Sequence, residues 1–156
     1  MPLPRHLRRL DRIWTPTEIY FVTTCTAHRR PLLATQEVFN VLCEEWEKAP
    51  SLHGWQIGSF VIMPDHVHFF CAPCRPDHRS LSQWVGSFKQ WTSKRLLAAF
   101  NLDAPFWQPE FFDHLLRSAE SYAEKVDYVR RNPLRAGLVE TPEQWPWKGQ
   151  IAELSL

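Results

Sequence analysis

No hydrophobic run in this 156-residue chain approaches the ~18–20 residues a membrane-spanning helix requires. Arginines crowd the amino end without an apolar stretch after them, so that end does not read as a secretory signal. Internal repeats, low-complexity tracts and linkers are missing as well. So is any excess of charge: 18 Lys+Arg against 17 Asp+Glu leave a formal +1, which alone gives no support to nucleic-acid binding. Four cysteines without a signal peptide predict free thiols in a reducing compartment, the bacterial cytoplasm. Cys71-Ala72-Pro73-Cys74 has the spacing of a redox pair or half a zinc site. A second such pair is absent and no helix opens there, so a structural or incidental role is expected.

What remains is the material of one ordinary domain. Hydrophobic residues make up 44% and charged residues 22%, enough for a core and too apolar for disorder. Eight Trp and 10 Phe are many for the length, and some could serve as platforms for bases. The near-neutral total conceals local clusters. Arg5, Arg8, Arg9 and Arg12 sit at the amino end, and Arg130, Arg131 and Arg135 surround Tyr128. Such patches can bind phosphate whatever the overall balance.

Residues 1–17 read as a basic, proline-punctuated arm, 18–147 as one catalytic domain and 148–156 as a tail. Ile19 to Thr26 is β-branched and aromatic, a first strand. Thr35 caps a helix to about Lys48, which Pro50 stops. Trp55–Met63 and His66–Ala72 form a hairpin around the turn pair Pro64-Asp65. Ser80 caps a helix to about Phe100 with Leu81, Trp84, Val85, Phe88 and Trp91 as its apolar stripe. Phe106 to Leu116 holds a fourth strand, kinked at Pro109. Ser118 opens a last helix that ends at Asn132, ahead of Pro133. The order predicts an α+β fold: a ferredoxin-like β-α-β-β-α-β sandwich, antiparallel with helices on one face, plus an extra C-terminal helix.

Two short strings carry the chemistry. In a strand, His66 and His68 point to one face while Val67 turns to the other. The pair sits just past a turn, a setting that suits metal ligands, although paired histidines also occur as ordinary surface residues. On the last helix, Ala119, Tyr122, Val126 and Val129 form the stripe facing the sheet. Tyr128 falls roughly 120° away at ~100° per residue, free to face a cleft. A boundary tyrosine covering a loop fits that position too. Asn132 lies one turn on, where asparagine is also a common helix-end residue. Two imidazoles, an amide oxygen and a phenol suit metal-assisted attack by tyrosine on a phosphate.

These residues resemble the REP-associated tyrosine transposases, in the single-tyrosine branch of the HUH endonuclease superfamily. The matching pieces are Val61 to His68, Phe106-Trp107-Gln108, Phe111-Phe112-Asp113, Leu116-Arg117, Tyr128 to Val139, and Trp145-Pro146-Trp147. The resemblance spans about Tyr20 to Trp147. It implies nicking of single-stranded DNA beside a hairpin, with His66 and His68 as metal ligands, Tyr128 as nucleophile and Asn132 as third ligand. Asp65 stands where Asn often follows Pro in that family, and serines usual after Trp147 are absent. Neither departure is expected to touch the chemistry.

The expected enzyme is therefore a site-specific single-stranded DNA endonuclease and strand transferase working through a 5′-phosphotyrosine link. Two nitrogens and an oxygen suit Mg²⁺ or Mn²⁺, though imidazoles alone would accept zinc. The partner is hairpin-bearing single-stranded DNA resembling a repetitive extragenic palindrome, with no membrane role and a monomer or homodimer as the acting form. Phosphate contacts are expected from Arg5, Arg8, Arg9, Arg12, Lys89, Lys94, Arg95, Arg130, Arg131 and Arg135. Two other classes fit the residues: a domesticated binder that holds repeat hairpins without cutting, and a metal-dependent nuclease that uses water with Tyr128 as bystander.

Overall fold

The structure, a computed structural model, describes residues 18–156. The expected arm with Arg5, Arg8, Arg9 and Arg12 lies outside those residues. Strand β1 (Ile19–Cys25) leads through a one-turn 3-10 helix into helix α1 (Gln36–His53). Then follow β2 (Trp55–Ile62), β3 (His66–Pro73), helix α2 (Leu81–Phe100) and β4 (Phe112–Leu116). Helix α3 (Ala119–Arg130), the short α4 (Asn132–Arg135) and β5 (Lys148–Gln150) complete the chain. The strands lie in the order β4-β1-β3-β2-β5, every pairing antiparallel. The first four strands and two long helices are the expected β-α-β-β-α-β arrangement.

Alternation along the strands divides the molecule into two faces. Val22, Ile57, Ile62, Val67, Phe69 and Cys71 turn toward α1 and α2, where Trp46, Trp84, Val85, Phe88 and Leu96 complete one core. Trp46 stacks on Phe88 with centroids 5.6 Å apart. The intervening residues Ile19, Val61, Phe70, Ala72 and Leu116 turn the other way and meet Val129 of α3, Trp145 and Leu154. The tyrosine helix therefore covers the face opposite the two long helices.

Five local expectations are corrected. Pro50 does not stop α1, which runs to His53. The stop is Gly54, left-handed at φ 75°, whose N–H bonds to the carbonyl of Pro50 and whose Cα faces His78 too closely for a side chain. Trp91 is exposed; Thr92 takes the buried place, bonding back to Phe88 O and accepting from the Trp107 indole at 2.9 Å. The fourth strand is confined to Phe112–Leu116, because Phe106 and Trp107 leave the sheet for the core. Pro133 does not end the helical run: the chain bends at Arg131, and Pro133 sits in the first turn of α4, where its missing N–H costs nothing. Finally, the segment read as a tail adds β5 to the edge of β2, and the Trp145 indole anchors its approach on Ile62 O.

Candidate active site

His66 and His68 open β3 and point to the α3 face with Phe70, as the period of two requires. Their ring centroids are 4.7 Å apart. Each ring has its Nδ1 engaged. His66 Nδ1 is 2.7 Å from Asp65 Oδ1, and His68 Nδ1 is 2.8 Å from Thr23 Oγ1. The second contact follows from register, since Thr23 lies directly opposite His68 across the β1–β3 ladder. With Nδ1 serving a neighbour, Nε2 of each imidazole is left for a ligand, the arrangement by which carboxylates and hydroxyls orient metal-binding histidines. Burial, reinforced by the neighbouring His66 ring and the positive charge of Lys125, Arg135 and Arg29, pushes His68 down to about 3. It is neutral at physiological pH, as a ligand must be.

Asp65 was expected to be a harmless departure; it is the residue that grips His66. Its other carboxylate oxygen accepts from Arg29 Nε at 2.9 Å. Burial raises the Asp65 carboxyl, but the hydrogen bonds from Arg29 and His66 outweigh that and hold it below its ordinary value. Thr23, Asp65 and Arg29 were all missed. An acidic residue directly before His-X-His was the one visible signal; the other two depend on cross-strand and loop geometry.

Tyr128 is 56% exposed, off the buried line of α3 as its helical phase predicts. Its ring is in contact with two cations: the Arg135 guanidinium 3.7 Å from the centroid and Lys125 Nζ at 5.1 Å. The same Lys125 nitrogen is 4.8 Å from the Phe21 ring, and Phe21 stacks on His68 at 5.2 Å. A continuous relay of side chains thus joins the tyrosine to the histidine pair within one chain. Asn132 is not on the tyrosine's own helix but opens α4, and Arg135 donates to its Oδ1 at 3.3 Å. Arg135 consequently touches both residues.

The other predicted cations divide by face. Arg130 pairs with Glu143 at 2.8 Å and Arg131 with Asp127 at 3.2 Å, exposed contacts that a phosphate can replace. Lys89, Lys94 and Arg95 lie on α2, across the sheet. Lys89 donates to the carbonyls of Gln108 and Glu110, Lys94 covers Trp91, and Arg95 pairs with Glu44 and Glu45. The structure does not bring them to the histidines.

Among the described residues, no cluster of three His, Cys, Asp or Glu side chains could hold a metal ion. The donors the structure brings together are the two imidazole nitrogens of His66 and His68, a pair that fits a divalent cation whose remaining positions go to oxygen ligands.

A family model described as "Transposase IS200 like" matches residues 17–132. The chain belongs to the IS200-like transposase family. It is an enzyme of the tyrosine transposase class. An Escherichia coli REP-associated tyrosine transposase is 28% identical over 128 residues, covering 82% of this chain and 73% of its own. A Haemophilus influenzae relative is 24% identical over 146 residues, with coverages of 87% and 81%. Among solved structures, a REP-associated tyrosine transposase bound to a REP hairpin shares the fold with a TM-score of 0.67. It covers 90% of each chain at 24% identity.

Proposed function

We propose that this transposase nicks single-stranded DNA beside a hairpin of the repetitive extragenic palindrome type and transfers the strand through Tyr128. The carrying observation is the pair of imidazoles, each held at Nδ1, linked through Phe21 and Lys125 to an exposed phenol. The hairpin partner rests on the related structure bound to a REP hairpin. The substrate being chromosomal DNA, the enzyme would act in the cytoplasm.

In the reaction, the Tyr128 oxygen attacks phosphorus. An O–P bond forms to the phenol, the P–O3′ bond breaks, the phenol loses its proton to solvent, and the 3′ oxygen takes one up. The products are a 5′-phosphotyrosine link and a free 3′-OH. No water is consumed, so a 3′-OH can reverse the step and rejoin strands. A divalent cation, Mg²⁺ or Mn²⁺, held by His66, His68 and Asn132, would supply polarisation of the phosphate and stabilisation of developing charge. Thr23 and Asp65 fix the two rings. Arg135 and Lys125 hold the phenol and, with Arg130 and Arg131, receive DNA phosphates. The relay within one chain supports action as a monomer.

The test is incubation with a labelled single-stranded REP hairpin oligonucleotide and Mn²⁺, followed by a denaturing gel. Wild type forms a protein–DNA adduct; Tyr128→Phe forms none yet binds the hairpin within about twofold of wild type. Cleavage by Tyr128→Phe without a protein-bound strand would instead identify a water-using nuclease. Tight hairpin binding by wild type with no cleavage at all would identify a non-cutting binder.

A further inference from the structure

Arg29 stands beside the histidine pair on a segment built with unusual care. His28 and Arg29 both adopt left-handed backbone, at φ 60° and 53°. Neither is glycine, so the surroundings must hold them there. They do so by clamping the segment to the β2–β3 turn and to the loop before β4. Thr26 N–H donates to Asp65 O at 3.0 Å, and Thr26 Oγ1 lies 2.8 Å from Arg30 O. Ala27 N–H donates to Phe106 O, and Arg30 reaches the carbonyl of Pro105. The outcome is a guanidinium delivered to the side of His66.

Only one edge of that guanidinium is committed. Nε bonds to Asp65 Oδ2. Nη2 lies 3.4 Å from His66 Nδ1, but that nitrogen gives its proton to Asp65 and offers no lone pair, so Nη2 is in contact without an acceptor. The side chain remains 53% exposed. Asp65 therefore does two jobs with its two oxygens: it orients His66, and it fixes an arginine beside that ring. A fixed guanidinium fork beside a phosphate-processing centre is suited to paired hydrogen bonds with phosphate oxygens.

We infer that Arg29 is a catalytic-site phosphate clamp, binding a non-bridging oxygen of a phosphate at or next to the scissile bond, with Asp65 as its positioning residue. This rests on the proposed reading that His66 and His68 mark the site of strand cleavage. It adds a protein cation beside His66 to the cations grouped around Tyr128.

The test measures DNA binding in EDTA, where no cleavage occurs, and Mn²⁺ binding separately. The probe is a single-stranded REP hairpin oligonucleotide, unmodified or carrying one neutral methylphosphonate at each phosphate near the cut in turn. Arg29→Gln is expected to weaken binding of the unmodified strand roughly tenfold, and Arg29→Lys less. One methylphosphonate position should erase the difference between wild type and Arg29→Gln. Mn²⁺ affinity of Arg29→Gln should stay within about twofold of wild type, whereas Asp65→Asn should lose both Mn²⁺ and DNA affinity. Unchanged binding by Arg29→Gln, or a loss equally large at every methylphosphonate position, would overturn the clamp. If wild type forms no adduct on the same oligonucleotide but the Arg29 coupling persists, the cleavage reading fails while the phosphate contact stands.

Discussion

The two faces of one strand divide the labour of this molecule. Along β3, Val67, Phe69 and Cys71 enter a fully buried aromatic core with Trp46, Trp84 and Phe88. Their immediate neighbours His66 and His68 enter a polar cluster with Thr23, Asp65 and Arg29. The helix face is tight and apolar; its Lys89 and Arg95 are tied to carbonyls and carboxylates, and Lys94 lies over Trp91. The tyrosine face has a smaller core, an exposed phenol and guanidinium groups in contacts that a phosphate can displace. Rigid packing on one side of a strand thus sets the direction of the two histidines on the other.

That contrast can be broken in four ways. Replacing both His66 and His68 by Ala should reduce adduct formation on the order of a thousandfold while leaving thermal stability close to wild type. EDTA should do the same to the wild type, and full cleavage in EDTA would show that the histidines serve no cation. Phe69→Ala, one residue away, should act in the opposite sense, lowering stability by about 3–5 kcal/mol in denaturant unfolding. Loss of activity without loss of stability in that variant would contradict the division. Thr23→Val keeps shape but removes the oxygen that holds His68; Mn²⁺ affinity measured by calorimetry should fall roughly tenfold with little change in stability. The smallest effect is expected from Glu143→Gln, which frees Arg130 from an exposed pair. Stability should change by less than about 1 kcal/mol, and DNA binding should strengthen slightly at low salt.

The same contrast governs how much could be read from the chain. Periodicity exposed the helix-face core, because buried apolar residues recur at fixed spacing in α1, α2 and β3. His66 and His68 were legible for the same reason, as was the phase of Tyr128. Thr23 was not, since its partnership with His68 is a matter of strand register 45 residues away. Arg29 depends on two left-handed residues that carry no glycine to announce them. Pro50 and Pro133 were read as stops from local chemistry, but packing carried α1 onward and a bend reused Pro133 as a starting residue. Lys148-Gly149-Gln150 has no strand pattern; it pairs with β2 because Trp145 anchors the chain beside it. Asp65 was in plain view and its meaning was not, because only geometry connects its two oxygens to two different partners.

The central claim is that the phenol of Tyr128 takes up the cut strand. After reaction of the wild-type chain with a single-stranded REP hairpin oligonucleotide and Mn²⁺, proteolysis and mass spectrometry can locate the nucleotide-bearing peptide. The predicted result is a 5′-phosphonucleotide on Tyr128. A modification on any other residue, or cut DNA with every peptide unmodified, would contradict it.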